Sequence, residues 1–180
     1  MKAFSRILLC LLLTSCMGPA LQQTYDAQEK KIDSFVSAQT SGKEDPHVEY
    51  NGGSVRVVIT EGTSETGVSA SGTVSFYYAG YVLSGTSVSS GNLFATNSKS
   101  VADAAGWTLS DESIFTIETV SLGNDELLTG LRNGLVGVKE GEECWILFSG
   151  KYGYGKKGAG TIPPKSALVY HIWVESISND

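Results

Sequence analysis

Five runs rich in Val, Ile and aromatic residues alternate with turn residues along this chain, and one leucine segment between them keeps a different period. "SVRVVIT" (54–60), "TVSFYYAGYVL" (73–83), "IFTIETV" (114–120), "EECWILFS" (142–149) and "ALVYHIWVESI" (167–177) carry the side chains that pack well on a pleated surface. "DELLTGLRNGLVGV" (125–138) instead sets Leu127, Leu128, Leu131 and Leu135 at helical spacing, with Gly137 placed to end the helix. The chain is therefore β-rich with one helical interruption. Its 180 residues and 41% hydrophobic content suffice for one ordinary core and one domain. "TSVSSGN" and "TNSKSVADAAG" read as loops on either side of 93–96, and no internal repeat is present.

The first residues, "MKAFSRILLCLLLTSC", place Lys2 and Arg6 before a short apolar run (7–13). That run is far below the roughly 20 residues needed to span a bilayer, so it reads as a secretion signal. "LTSC" (13–16) resembles the bacterial lipobox, in which the cysteine becomes the lipidated first residue of the mature protein; an ordinary signal peptide cut nearby is the alternative. The expected organisation is a lipoprotein signal peptide over 1–15, a tether with a short helix over 16–46, and a folded domain over 47–180. The helix is expected at 26–36, with Ile32, Phe35 and Val36 on its apolar side. Acylation of Cys16 would anchor an exported protein to a membrane, facing the periplasm or the cell exterior. With Cys10 discarded and Cys16 acylated, Cys144 has no partner for an intramolecular disulfide. It alternates with Ile146 and Phe148 and reads as a small core residue.

The formal charge is −6, and removing Lys2 and Arg6 leaves 11 basic against 19 acidic residues, a net of −8. Nucleic acid is excluded as the main partner, since phosphate binding needs a basic face. The glycine-rich "GKYGYGKK" (150–157) nearly matches a nucleotide-binding P-loop, but Lys157 stands where Ser or Thr should hold magnesium. "GYGKKG" (153–158) has the dinucleotide spacing, yet Thr161, Pro163 and Pro164 follow where a helix should open. No Cys/His cluster suggests zinc and no "GxSxG" elbow occurs, so neither metal nor cofactor is expected. The glycines instead read as a tight loop that folds over a pocket. Tyr78, Phe94, Leu127, Leu128, Leu131, Tyr154, Ile162 and Tyr170 could line such a pocket or simply fill a core.

In order, "FYYAG", "LFATN", "GLRNGLVGVKEGEECWILFSGKYGYG" and "IPPKSALVYHIWVESI" resemble the FKBP family of peptidyl-prolyl cis-trans isomerases across roughly residues 50–177. The resemblance implies an α+β fold, an antiparallel sheet wrapped around one short α-helix, here preceded by the signal segment, tether and short N-terminal helix. It implies an apolar proline pocket made by Tyr78, Phe94, Leu127, Leu128, Leu131, Tyr154, Ile162 and Tyr170. In the family, the backbone N–H matching Leu128 and the hydroxyl matching Tyr154 bond carbonyls of the bound peptide. Proline-containing polypeptides and macrolide ligands are the implied partners. An active isomerase assisting the folding of exported proteins is the leading expectation; a non-catalytic proline-peptide-binding module or chaperone is the alternative, and a tethered assembly protein reusing the fold is a third.

The sequence departs from the family pattern at the pocket. An acidic residue usually follows the phenylalanine of "LFATN" and bonds the first pocket tyrosine; here it is Ala95. The pocket floor, often tryptophan, is Leu131. An expected aromatic falls on Glu118 by direct counting, or on Ile117 if the register slips, and Asp103 and Trp107 could restore a carboxylate or an aromatic wall. With Cys144, Ile146, Phe148 and Tyr170 inward, period two sends Trp145, Leu147, His171 and Trp173 to the outer face. Two outer tryptophans call for cover by the helix around Ile32 and Phe35 or by a second copy, unless they are singly exposed aromatics.

Overall fold

The computed structural model of the chain describes residues 18–108 and 111–179. The expected signal peptide and Cys16 lie outside these residues. Among the described residues, no helix is long and apolar enough to cross a membrane.

Among the described residues, seven strands form one antiparallel sheet: β1 (Val48–Asn51), β2 (Ser54–Thr60), β3 (Thr73–Val82), β4 (Leu93–Thr96), β5 (Glu118–Ser121), β6 (Glu143–Phe148) and β7 (Leu168–Ser178). The order is β1-β2-β6-β7-β3-β4, and β5 shares with β4 the edge of β3 that faces away from β7. A side chain fills the gap between them. Asn97 donates to the carbonyls of Phe76 (3.2 Å) and Thr116 (3.0 Å), and its Oδ1 accepts from the Tyr78 N–H (2.6 Å). The carbonyl of Thr116 is thus bonded to a side chain instead of a ladder, and β5 begins only at Glu118, not at 114 as the sequence pattern suggests. β1 has no counterpart among the expected strands.

Among the described residues, three α-helices flank the sheet: α1 (Pro19–Thr40), α2 (Lys99–Ala104) and α3 (Thr129–Leu135). α2 lies within a segment expected to be loop; its last turn buries Ala102, and Lys99 reaches Asp103 one turn on (3.0 Å). α3 is shorter than the expected 125–138. Arg132 donates to the carbonyls of Leu122 and Asp125, and the Asp125 carboxylate accepts from the Ser121 N–H (2.7 Å). These bonds hold 122–128 as a loop, so Leu127 and Leu128 precede the helix. Gly137 follows it with φ 88°, a left-handed conformation suited to a helix end.

Glycine fixes how closely α3 meets the sheet. A Cβ on Gly130 would stand 2.1 Å from the Phe148 ring, and one on Gly134 would stand 2.2 Å from Ile146 Cγ2. The two lie four residues apart and form one face of the helix, which rests on β6. Arg56 of β2 is 3% exposed and tethers the other end: it bonds the Gly134 (3.4 Å) and Val136 (3.1 Å) carbonyls, and Glu49 (2.6 Å) and Glu142 (3.4 Å) compensate its charge.

The sheet is buried on both faces. Toward α3, Phe76, Leu131, Leu135, Cys144, Ile146, Phe148, Tyr170 and Ile172 form one core. On the other face α1 lays Ile32, Phe35 and Val36 against Val55, Val57, Trp145, Leu147 and Val169. Leu21, Tyr25, Ile32 and Phe35 stand four, seven and three residues apart, with Val36 beside Phe35, which makes one stripe of a helix. The stripe is longer than the expected 26–36, and the helix covers the outer face of Trp145. The full cycle of alternation places Cys144, Ile146 and Phe148 in the first core and Trp145 and Leu147 in the second.

Candidate active site

A cavity of about 410 Å³ opens between the concave sheet face, α3 and the 150–165 loop. Seven of the eight residues singled out in the sequence line it: Tyr78, Phe94, Leu127, Leu131, Tyr154, Ile162 and Tyr170. Leu128 lines an adjoining cavity that shares Leu127, Leu131, Tyr154 and Tyr170 with the first. It caps α3, whose ladder begins with Arg132 N donating to the Leu128 carbonyl (2.9 Å), so the Leu128 N–H precedes the ladder.

Tyr170 is the hub of the wall. Its ring meets Phe94 edge-on at 5.7 Å and 81°, stacks on Phe148 at 5.9 Å, and lies 6.1 Å from Tyr78. Gly80 makes this assembly possible. A Cβ there would stand 2.6 Å from Phe94 Cζ and 3.1 Å from Tyr170 Cε1. Phe94 can cross the strand only because β3 carries no side chain at that point.

The glycine-rich stretch of the sequence forms the lip. Its backbone turns on itself through Gly155 N to the Gly150 carbonyl (2.9 Å) and Lys165 N to the Gly155 carbonyl (2.6 Å). At its tip, Ala159 and Ile162 exchange bonds (3.1 and 2.8 Å) and turn Ile162 into the cavity. Gly158 has φ 68°, and a Cβ on it would lie 2.5 Å from the Ile162 carbonyl, so the narrow tip requires glycine. No helix follows the glycines, and the phosphate readings fail on that ground.

The base of the lip is clipped from the opposite side of the sheet. Gln28 of α1 donates through Nε2 to the Lys165 carbonyl and accepts at Oε1 from the Gly150 N–H (2.8 Å). Gln28 falls on the same helical stripe as Tyr25 and Ile32, so packing α1 on the sheet brings the amide to both ends of the loop. Nothing in the local sequence around Gln28 signals this, because its partners lie 122 and 137 residues away.

The cavity wall contains hydroxyls, carbon and one carboxylate. Burial, then the charge of Glu118 and the neighbouring Tyr154, raise the Tyr78 pKa; burial first, then Tyr154 and Tyr78, raise that of Tyr170 further. Both phenols therefore stay protonated at neutral pH and remain hydrogen-bond donors. Direct counting holds for the departure at 118: Glu118 lines the cavity, while Ile117 is 41% exposed outside it. Ala95 also lines the wall. Asp103 does not restore a carboxylate there, because it faces solvent and pairs with Lys99, and Trp107 is not part of the wall.

A family model described as FKBP-type peptidyl-prolyl cis-trans isomerase matches residues 65–175. The human peptidyl-prolyl cis-trans isomerase FKBP14 is 41% identical over 59 residues, which is 33% of this chain and 28% of that protein. An FK506-binding protein of Neisseria meningitidis is 34% identical over 55 residues, 30% of this chain and 50% of that protein. The chain thus spans half or less of the length of these curated relatives. Among solved structures, a peptidyl-prolyl cis-trans isomerase of Pseudomonas syringae superposes with TM-score 0.59 at 20% identity, covering 91% of this chain and 99% of that one. FkpA from Escherichia coli gives TM-score 0.56 at 20% identity, covering 89% of this chain and 63% of that one. At these identities the superpositions show a common fold, and the family match extends over the strands, helix and lip that build the cavity. The chain belongs to the FKBP-type peptidyl-prolyl cis-trans isomerase family.

Proposed function

We propose that this protein catalyses cis-trans isomerisation of X-Pro bonds in exported polypeptides, from a membrane to which Cys16 anchors it. The observation that carries the catalytic reading is the aromatic cavity itself, in which Tyr170 holds Tyr78 and Phe94 around a space of about 410 Å³. Rotation about a peptide bond meets a barrier of about 18–20 kcal/mol because resonance gives the C–N bond double-bond character. The twisted amide loses that resonance and much of its polarity. An apolar pocket that strips water from the prolyl amide therefore raises the planar form relative to the twisted one. In this chain Tyr78, Phe94, Leu131, Ile162 and Tyr170 exclude the water. The Tyr154 hydroxyl at the rim and the Leu128 N–H ahead of the helix ladder are the donors that hold the peptide carbonyls. No step requires a titrating acid or base.

Export and anchoring rest on the sequence around Cys16. They fit a need outside the cytoplasm, where uncatalysed prolyl isomerisation takes tens to hundreds of seconds and can limit folding. FK506-type ligands are proposed for the same cavity from the family resemblance. A second reading, a proline-peptide-binding module with little catalysis, is favoured by Glu118 and Ala95 in the wall. Refolding of a substrate protein whose slow phase is a trans-to-cis prolyl step tests the two. Acceleration by catalytic amounts supports isomerisation, whereas an effect only at stoichiometric amounts supports the binding module. Cys16→Ala should abolish lipid labelling and membrane partitioning; equal labelling of both forms would refute the anchor.

A further inference from the structure

We infer that Glu118 makes this pocket select X-Pro segments that carry lysine or arginine beside the proline. The inference deepens the isomerase reading and rests on it. Glu118 of β5 stands directly opposite Phe76 of β3. Opposed residues of an antiparallel pair point to the same face, and Phe76 is buried in the concave core. The Glu118 side chain is therefore carried onto the concave face beside Tyr78, two residues along β3, and it forms part of the cavity wall. Its charge reaches the Tyr78 phenol.

A second carboxylate, Glu126, lines the adjoining cavity, which shares Leu127, Leu131, Tyr154 and Tyr170 with the first. Among the described residues, neither cavity has a lysine or arginine in its wall. Lys99 is engaged with Asp103 and Glu112, and Arg132 with the Leu122 and Asp125 carbonyls, while Lys156 and Lys157 of the lip belong to the wall of neither cavity. A polypeptide seated with its prolyl ring among Tyr78, Phe94 and Tyr170 thus has carboxylates at two walls and no lysine or arginine within those walls to neutralise them. An ammonium or guanidinium next to the proline is attracted there, and an acidic side chain is repelled. The same exchange of an aromatic for Glu118 that thins the apolar wall supplies the charge that discriminates between substrates.

The test is kcat/KM for the peptides Ala-Xaa-Pro-Phe with Xaa lysine, glutamate or leucine, at low and at high ionic strength. Wild type should favour lysine over glutamate by about three- to tenfold, the range for one or two solvent-accessible ion pairs. Salt should narrow that ratio. Glu118→Gln should bring it toward one, and Glu126→Gln should reduce it by a smaller step; circular dichroism checks that both variants stay folded. Equal lysine and glutamate values for wild type, or a full ratio retained in Glu118→Gln, would overturn the inference while leaving isomerase activity on the leucine peptide intact. If no peptide is turned over, the isomerase reading fails, and titration calorimetry with the same peptides still decides selection: lysine bound more tightly upholds it, and equal affinity overturns it.

Discussion

The ring of Phe35 meets the indole of Trp145 edge-on, with centroids 5.6 Å apart and planes at 78°. Phe35 is fully buried at this contact, and it joins the N-terminal helix to the face of the sheet opposite the pocket. Helix α1 is thus part of the folded unit. Phe35→Ala should cost about 3–5 kcal/mol, the range for removing a buried phenylalanine. Urea unfolding followed by tryptophan fluorescence would show it as a lowered midpoint. Deleting residues 17–45 should also leave Trp145 and Trp173 more open to a soluble quencher. An unchanged midpoint and unchanged quenching would mean that α1 does not cover this face in solution.

Gly80 should tolerate no side chain. In Gly80→Ala the new methyl would press on Phe94 and Tyr170, at 2.6 and 3.1 Å. Overpacking of this kind costs about 1–3 kcal/mol, which relaxation can pass on to the shape of the pocket. Turnover of a proline peptide should fall about tenfold or more while circular dichroism keeps its β signature. Undiminished kcat/KM would show that the Phe94 and Tyr170 pairing does not set the pocket.

Gln28 couples the covering helix to the lip. Gln28→Ala removes the acceptor of the Gly150 N–H and the donor to the Lys165 carbonyl. Loss of one net hydrogen bond, about 1 kcal/mol, should speed exchange of the Gly150 amide about fivefold. A looser lip should raise KM more than it lowers kcat, and Gln28→Glu, which keeps the acceptor, should restore the Gly150 protection. Equal exchange in all three proteins would mean that the loop holds itself.

The two histidines should titrate in opposite directions. His47 bonds Glu61 (2.7 Å) and Glu49 (3.0 Å), and those bonds raise its pKa above the ordinary 6.5. His171 lies between Trp145 and Trp173, each at 3.9 Å, and burial lowers its pKa despite the bond to Glu143. For His171 the unfolded chain takes up its proton first, so stability is lost as pH falls through 6.5 and below. For His47 the folded state takes up the proton first, so its contribution is present below 6.5 and lost as pH rises through the raised value. Imidazole titration by NMR should place the two midpoints on opposite sides of 6.5, and coincident midpoints would contradict both environments.

Much of this architecture was legible in residue periods. The run at 54–60 coincides with β2, and alternation along "ECWILF" told the two faces of β6 apart, because period two depends only on local backbone geometry. The pocket residues were legible through ordered motifs: seven of the eight meet at one cavity. What stayed hidden depends on partners distant in sequence. Asn97 cuts β5 short by bonding Thr116, Arg132 unwinds the first turn of the expected helix, and Arg56 looks like any strand residue until its partners at 134, 136 and 142 are in place. The segment read as loop hides α2 because Ser, Asn and Gly flank only one and a half turns of helix.

The most direct measurement is exchange NMR of the cis and trans forms of Ala-Leu-Pro-Phe with micromolar protein. If desolvation by the aromatic pocket does the work, wild type accelerates the interconversion. Tyr154→Phe, which removes one donor at the rim, should slow it by about threefold to tenfold. Tyr170→Ala and Phe94→Ala, which open the pocket to water, should each cost more than that. A folded wild-type protein that leaves the exchange rate of the free peptide unchanged would contradict the isomerase reading.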